Sequence, residues 1–282
     1  MRRSEPRTPT PGFTLVEAVI VIAITGVLAA VVGKFIVAPV QGYLSTQARA
    51  ALVDQADLAL RRIGRDLRIA LPNSTRVSAS ALSLELIPTT GAGRYVAEGT
   101  NRLQFGSIVT AFDLIGPPLT LTVSQDLVFY NLGPGITGSD AYADNSSVAA
   151  QASSNRRTNT TAAGAASSIT MSSLAGLPVA GFAPPYRVFA VSPPVTYRCD
   201  LGAGTLSRYT GYGFLATQPD PPSGGSSAIL AKSVVSCRFS YDAVVVASRA
   251  GLVNLALTLQ TTTTAGTETV SLNHALHVDN LP

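Results

Sequence analysis

The sequence predicts an α+β protein: one long N-terminal helix, membrane-spanning in its first half and amphipathic in its second, packed on an antiparallel β-rich head. Three observations predict it. An apolar run near the N-terminus carries no charge from Ala18 to Gly33 and one hydroxyl, Thr25. Apolar residues then recur at helical spacing up to Leu71. After Pro72 short β-prone runs take over, punctuated by Gly, Pro and Asn.

The chain has 282 residues and is 46% hydrophobic, enough for one sizeable domain plus a membrane element. Charged residues make up only 13%, which sets the chain apart from ordinary soluble domains. Aromatics are 6% and Trp is absent, which argues against an aromatic stacking surface or sugar cleft.

Met1 to Gly12 is a basic leader in which Pro6, Pro9 and Pro11 prevent a helix. Its Arg2, Arg3 and Arg7 would stay cytoplasmic, so the following chain crosses outward. Without this leader Lys+Arg falls from 20 to 17 and Asp+Glu from 16 to 15, so the net charge drops from +4 to +2. The basic balance therefore implies little about partners. Arg61, Arg62, Arg65 and Arg68 are interrupted by Asp57 and Asp66 and read as a solvated helix face. No nucleic-acid partner is expected; a DNA-binding role would need dispersed arginines such as Arg156, Arg157, Arg187 and Arg198 to form a patch.

Phe13 to Val32 as a helix would span about 30 Å, the thickness of a bilayer core. A retained anchor fits better than a cleaved secretory signal, because no polar cleavage region follows. Gly33 to Pro39 is a candidate kink or unwound stretch. Glu17 is the single acid of the run. A carboxylate at bilayer depth costs on the order of 3 kcal/mol, so it is either a functional group or an interfacial acid that snorkels to water.

From Val40 the pattern turns amphipathic: Leu52, Ala56, Leu60, Ile63 and Leu67 form one stripe, and Asp57 precedes Arg61 at the supportive i,i+4 spacing. The boundaries expected are a leader at 1–12, a membrane helix at 13–38, an amphipathic helix at 39–72 and a head at 73–282. Strands are expected at Ala81–Ile87, Arg102–Phe105, Leu119–Val123 and Asp126–Tyr130. About 133–177 reads as a flexible Ala/Ser/Thr/Gly loop with little to bury. Strands return at Tyr186–Val191, Val195–Cys199, Leu206–Tyr209, Ser233–Tyr241, Leu252–Thr261 and Glu268–Val278.

Catalytic, cofactor and metal sites are not expected. There is no nucleophile elbow or phosphate loop, and the TGYGF run at Thr210–Phe214 reads as a hairpin turn. His274 and His277 lack the spacing and companions of a metal site. The two cysteines, Cys199 and Cys237, in an exported chain favour a disulfide over two buried free thiols, with about 4 kcal/mol from closing the loop.

GFTLVE, Gly12 to Glu17, behind a short basic leader and ahead of an apolar helix, resembles the type IV prepilin signature. The resemblance implies a pilin-like fold. It also implies a prepilin peptidase that cuts between Gly12 and Phe13 and methylates the new amine of Phe13. Glu17 would pair with the N-terminal amine of a neighbouring pilin or pseudopilin subunit during assembly. The implied partners are that peptidase, the other subunits, the inner membrane and its assembly platform. Pro39–Ser74, Val195–Asp200, Gly204–Phe214, Arg249–Leu259 and His277–Pro282 are similar to minor pilins of mannose-sensitive haemagglutinin (MSHA) pilus biogenesis. The implied location is the inner membrane, single-pass, with a periplasmic head that later joins the pilus. Alternatives are a minor pseudopilin of type II secretion or of a DNA-uptake pilus, and a membrane-anchored periplasmic binding protein or enzyme with 133–176 as a lid.

Overall fold

The structure is a computed structural model and describes residues 12–243 and 250–282. The leader arginines and Arg249 lie outside the described residues. These fall into two compact units: 12–50 with Thr262–Glu268, and Ala51–Thr261 with Thr269–Pro282.

One helix, α1, runs from Leu15 to Arg68. It continues unbroken through Gly33 and Pro39, so the expected unwinding does not occur. Pro39 lacks one N–H, which the turns on either side tolerate. The helix stops three residues before Leu71, because the backbone there turns to the sheets. The Leu71 N–H donates to the Ile87 carbonyl (2.7 Å) and the Thr89 N–H to the Ile69 carbonyl (2.7 Å).

The strands in chain order are β1 Arg76–Val77, β2 Ser83–Leu86, β3 Thr89–Tyr95, β4 Ala111–Ile115, β5 Leu119–Leu121 and β6 Asp126–Phe129. After a short helix α2 (Val148–Ala152) come β7 Arg156–Thr158, β8 Gly164–Ala166, β9 Ser168–Thr170, β10 Arg187–Val191, β11 Val195–Asp200 and β12 Thr205–Thr210. The last four are β13 Ser226–Lys232, β14 Val234–Asp242, β15 Ala250–Thr263 and β16 Gly266–Asp279. They form a five-stranded sheet β1-β2-β11-β12-β13, a six-stranded sheet β7-β6-β10-β3-β4-β9, a three-stranded sheet β14-β15-β16 and a pair β5-β8. Neighbouring strands run antiparallel. A long helix with antiparallel sheets is the α+β, pilin-like arrangement expected.

Leu52, Ala56, Ala59, Leu60, Ile63 and Leu67 of α1 bury against Leu84, Leu86, Val195 and Leu206 of the five-stranded sheet and Phe239, Leu255, Leu257 and Leu259 of the three-stranded one. A second core forms around Tyr95, Phe112, Phe129 and Ile169 in the six-stranded sheet.

Two further expectations are corrected. Arg102–Phe105 is not a strand: Leu103 is buried, but its N–H donates to the Val96 carbonyl within a loop. The segment 133–177 does not lack buried groups. It supplies α2, β7, β8 and β9, and it buries Tyr142, Arg157, Ile169 and Leu177. Its burial is largely polar. Arg157 donates to the carbonyls of Gln151, Ser154, Arg156, Ala175 and Gly176, an arrangement with no apolar periodicity to announce it. Burial lowers the Arg157 pKa to about 10.

Candidate functional site

Gly12, Phe13 and Thr14 precede α1 without helical structure. Thr14 is its cap: the Glu17 N–H donates to Thr14 Oγ1 (3.3 Å), and the Ala18 N–H donates to the Thr14 carbonyl (3.1 Å). Thr14-Leu15-Val16-Glu17 thus has the spacing of a capping box, with Glu17 at the third helical position. A negative side chain there also complements the positive end of the helix dipole. Sequence reading placed the acid but missed the cap, which the Thr-x-x-Glu spacing could have announced.

Beyond the cap, α1 is apolar on every side from Ala18 to Gly33. Its most hydrophobic 18-residue window has a mean hydropathy of 2.7 and none of it is buried. Phe13 is 75% exposed and Ile22 is 72% exposed. Among the described residues this helix is long and apolar enough to cross a membrane. Glu17 is the one acid between Phe13 and Gly33. The chemistry on offer is therefore placement: an apolar rod with one carboxylate in its first turn.

In the head, polar groups join elements. Asp66 of α1 is buried and accepts from the Tyr197 hydroxyl (2.6 Å) and from Arg208 Nε (2.9 Å) and Nη2 (2.8 Å). Burial and then the Asp66 carboxylate raise the Tyr197 pKa, so the phenol stays a donor. On the same sheet, the loop after β12 is strapped over β1, β2 and β11. Arg76 donates to the Leu215 and Ala216 carbonyls and pairs with buried Glu85. The Tyr212 hydroxyl donates to Glu85 Oε1 (2.8 Å), while Ser83, Ser80 and Arg198 donate to Asp220. The TGYGF run therefore does open a turn, with Gly211 and Gly213 at positive φ, but the connection it begins is this long strap.

Cys199 of β11 and Cys237 of β14 form a disulfide with Cα atoms 6.3 Å apart, tying the five-stranded sheet to the three-stranded one. His274 and His277 lie exposed on β16. Among the described residues no three His, Cys, Asp or Glu converge as metal ligands. The arginines named for a DNA-binding patch do not assemble one. Arg156 pairs with Asp126 (2.9 Å), Arg157 is fully buried, and Arg198 pairs with Asp200 and Asp220 (3.1 Å each). A cleft of about 230 Å³ lies beside Leu103, Phe105, Val179 and Phe182, with Arg102 at its rim. It brings together no acid–base pair.

No curated protein and no solved structure matches the chain. Residues 11–33 match the prokaryotic N-terminal methylation motif, which spans the cap, Glu17 and most of the apolar run. The head thus stands behind a type IV pilin-like signal, a sequence whose processing belongs to a prepilin peptidase and whose bearers assemble with other pilins.

Proposed function

We propose that this chain is a minor pilin or pseudopilin, a structural subunit rather than an enzyme, that enters a filament through its N-terminal helix. The observation that carries the reading is the coincidence of the methylation motif at 11–33 with a helix segment that is apolar all round up to Gly33 and has one carboxylate in its capped first turn. Prepilin peptidase cuts between Gly12 and Phe13, removes residues 1–12 and methylates Phe13. Residues 13–38 cross the inner membrane, 39–72 carry the amphipathic half of the helix, and 73–282 form a periplasmic head. The Cys199–Cys237 disulfide supports an oxidising compartment for that head.

Cleavage creates a cationic amine at Phe13, four residues before Glu17. In a packed bundle of apolar helices an unpaired carboxylate is costly, so pairing Glu17 with a neighbour's amine favours ordered insertion. Within the pilin class, the wording of Pro39–Ser74 and Gly204–Phe214 favours the MSHA pilus and its minor pilin MshO.

Mass spectrometry of the mature N-terminus tests the reading. The expected terminus is N-methyl-Phe13; a mature chain beginning at Met1 or near Ala30 would overturn it.

A further inference from the structure

The exposed face of α1 carries a row of three arginines, two of which have no carboxylate partner among the described residues. Arg61, Arg65 and Arg68 are exposed and follow one another at i, i+4 and i+7, one side of the helix. Asp57 pairs with Arg61 at 2.6 Å, and no ion pair is formed by Arg65 or Arg68 among the described residues. Neighbouring guanidinium groups at this spacing repel one another, so an anion is wanted beside Arg65 and Arg68. It borders a groove of about 540 Å³ between α1 and β16. Leu276 of β16 faces the helix at Gly64: a Cβ there would be in ordinary van der Waals contact with it, at 3.4 Å. His274 sits between core residues Leu272 and Leu276 in the inward register of β16 but is exposed, so the helix–sheet packing is open there. Leu58, 67% exposed, adds an apolar side to the groove. The groove's Arg61, Arg65 and Arg68 outnumber the single carboxylate of Asp57, so the arginines and aspartate lining it leave an excess of positive charge.

We infer that this groove docks an acidic helix of a neighbouring subunit, one whose carboxylates recur three or four residues apart and so match the arginine row, with an apolar residue against Leu58 and Leu276. The inference rests on the pilin reading and names the chemistry of the partner surface. Charge complementarity in register favours a helix over a dispersed anion, because three cations about 10 Å from end to end are matched by acids on one helical face.

The test uses the full chain in neutral detergent micelles and a fluorescent helical peptide with Glu at i, i+4 and i+7. Saturable binding that weakens with salt is expected. The Arg65→Gln/Arg68→Gln variant should bind about tenfold or more weakly, as expected for loss of close charge pairs. Arg94→Gln, on β3, should bind like the unaltered chain. Equal binding by a scrambled peptide of the same composition would overturn the inference. So would full affinity in the Arg65→Gln/Arg68→Gln variant, or displacement of the peptide by micellar phosphatidylglycerol acting through the same arginines, which would assign the groove to lipid headgroups. A chain with N-methyl-Phe13 that fails to bind the peptide refutes the groove alone. A chain without that terminus refutes the pilin reading itself.

Discussion

Asp57 and Asp66 each face an arginine one turn away on α1, yet their surroundings separate them. The Asp57–Arg61 pair lies in solvent, with side chains 45% and 72% exposed, where water screens it. Asp66 is enclosed and is shared by Tyr197, Arg208 and, at 3.6 Å, Arg62. Asp66→Ala leaves a buried phenol and a guanidinium without their acceptor and should destabilise the head by about 3 kcal/mol. Asp57→Ala should change stability by at most about 0.5 kcal/mol. Urea midpoints of the two variants check the contrast. The sequence did not reveal this difference, because Tyr197 lies 131 residues from Asp66 and only the fold brings it near. Glu17 is the opposite case, legible as a charge in an apolar run. It is the backbone N–H of Glu17, not the carboxylate, that is seen bonded to Thr14, so Glu17→Ala keeps this cap bond. Processing and methylation should therefore continue while incorporation into filaments falls, as immunoblots of cell and filament fractions would measure. Unchanged incorporation would remove the pairing role from Glu17.

Among the elements, the strap from Gly211 to Pro221 is held through a carboxylate whose ionisation makes that hold depend on pH. Burial pushes the Asp220 pKa up, but hydrogen bonds from Ser83, Ser80 and Arg198 outweigh it and leave the carboxyl below its ordinary value. A depressed folded pKa stabilises above the unfolded value of about 3.9 and is lost as pH falls through the folded one. Glu85 beneath the strap has the other sign. Burial outweighs Arg76 and Tyr212 and raises its pKa, so its share of stability is full below the unfolded carboxyl value and declines as pH rises through the higher folded one. Amide exchange across 212–218 should accelerate below about pH 4, and Asp220→Asn should flatten that acid limb. An exchange profile indifferent to Asp220→Asn would show that Asp220 does not hold the strap. The C-terminal strands were readable because Leu255, Leu257 and Leu259 alternate with exposed or half-buried neighbours. β3 was not: TTGAGRY has weak strand propensity, and Gly91 is there because a Cβ would come within 2.6 Å of Leu119. Nor were β7 to β9, since the buried Arg156, Arg157 and Asn159 look like surface residues in a string of letters.

For the whole molecule, the sequence disclosed the rod, the amphipathic stripe and the β-rich head, while the partition of the sixteen strands among the described residues into four sheets came only with the fold. The cysteine pair is the covalent tie between two of those sheets. Its residues are 38 apart in sequence, which in the chain-entropy picture corresponds to about 4 kcal/mol. Reduction by dithiothreitol should lower the unfolding midpoint by that order, and Cys199→Ser/Cys237→Ser should match the reduced chain and be insensitive to the reagent. The same bridge bears on mechanical extension. β12 and β13 lie wholly between the two cysteines, so they belong to a closed covalent ring. Under tension applied through the chain ends, the 38-residue stretch contributes no contour length beyond the bridge itself. About 130 Å of extension is thereby withheld, at roughly 3.4 Å per residue. A subunit pulled within a fibre would reach its limit that much sooner, with the ring of β12 and β13 bypassed by the load.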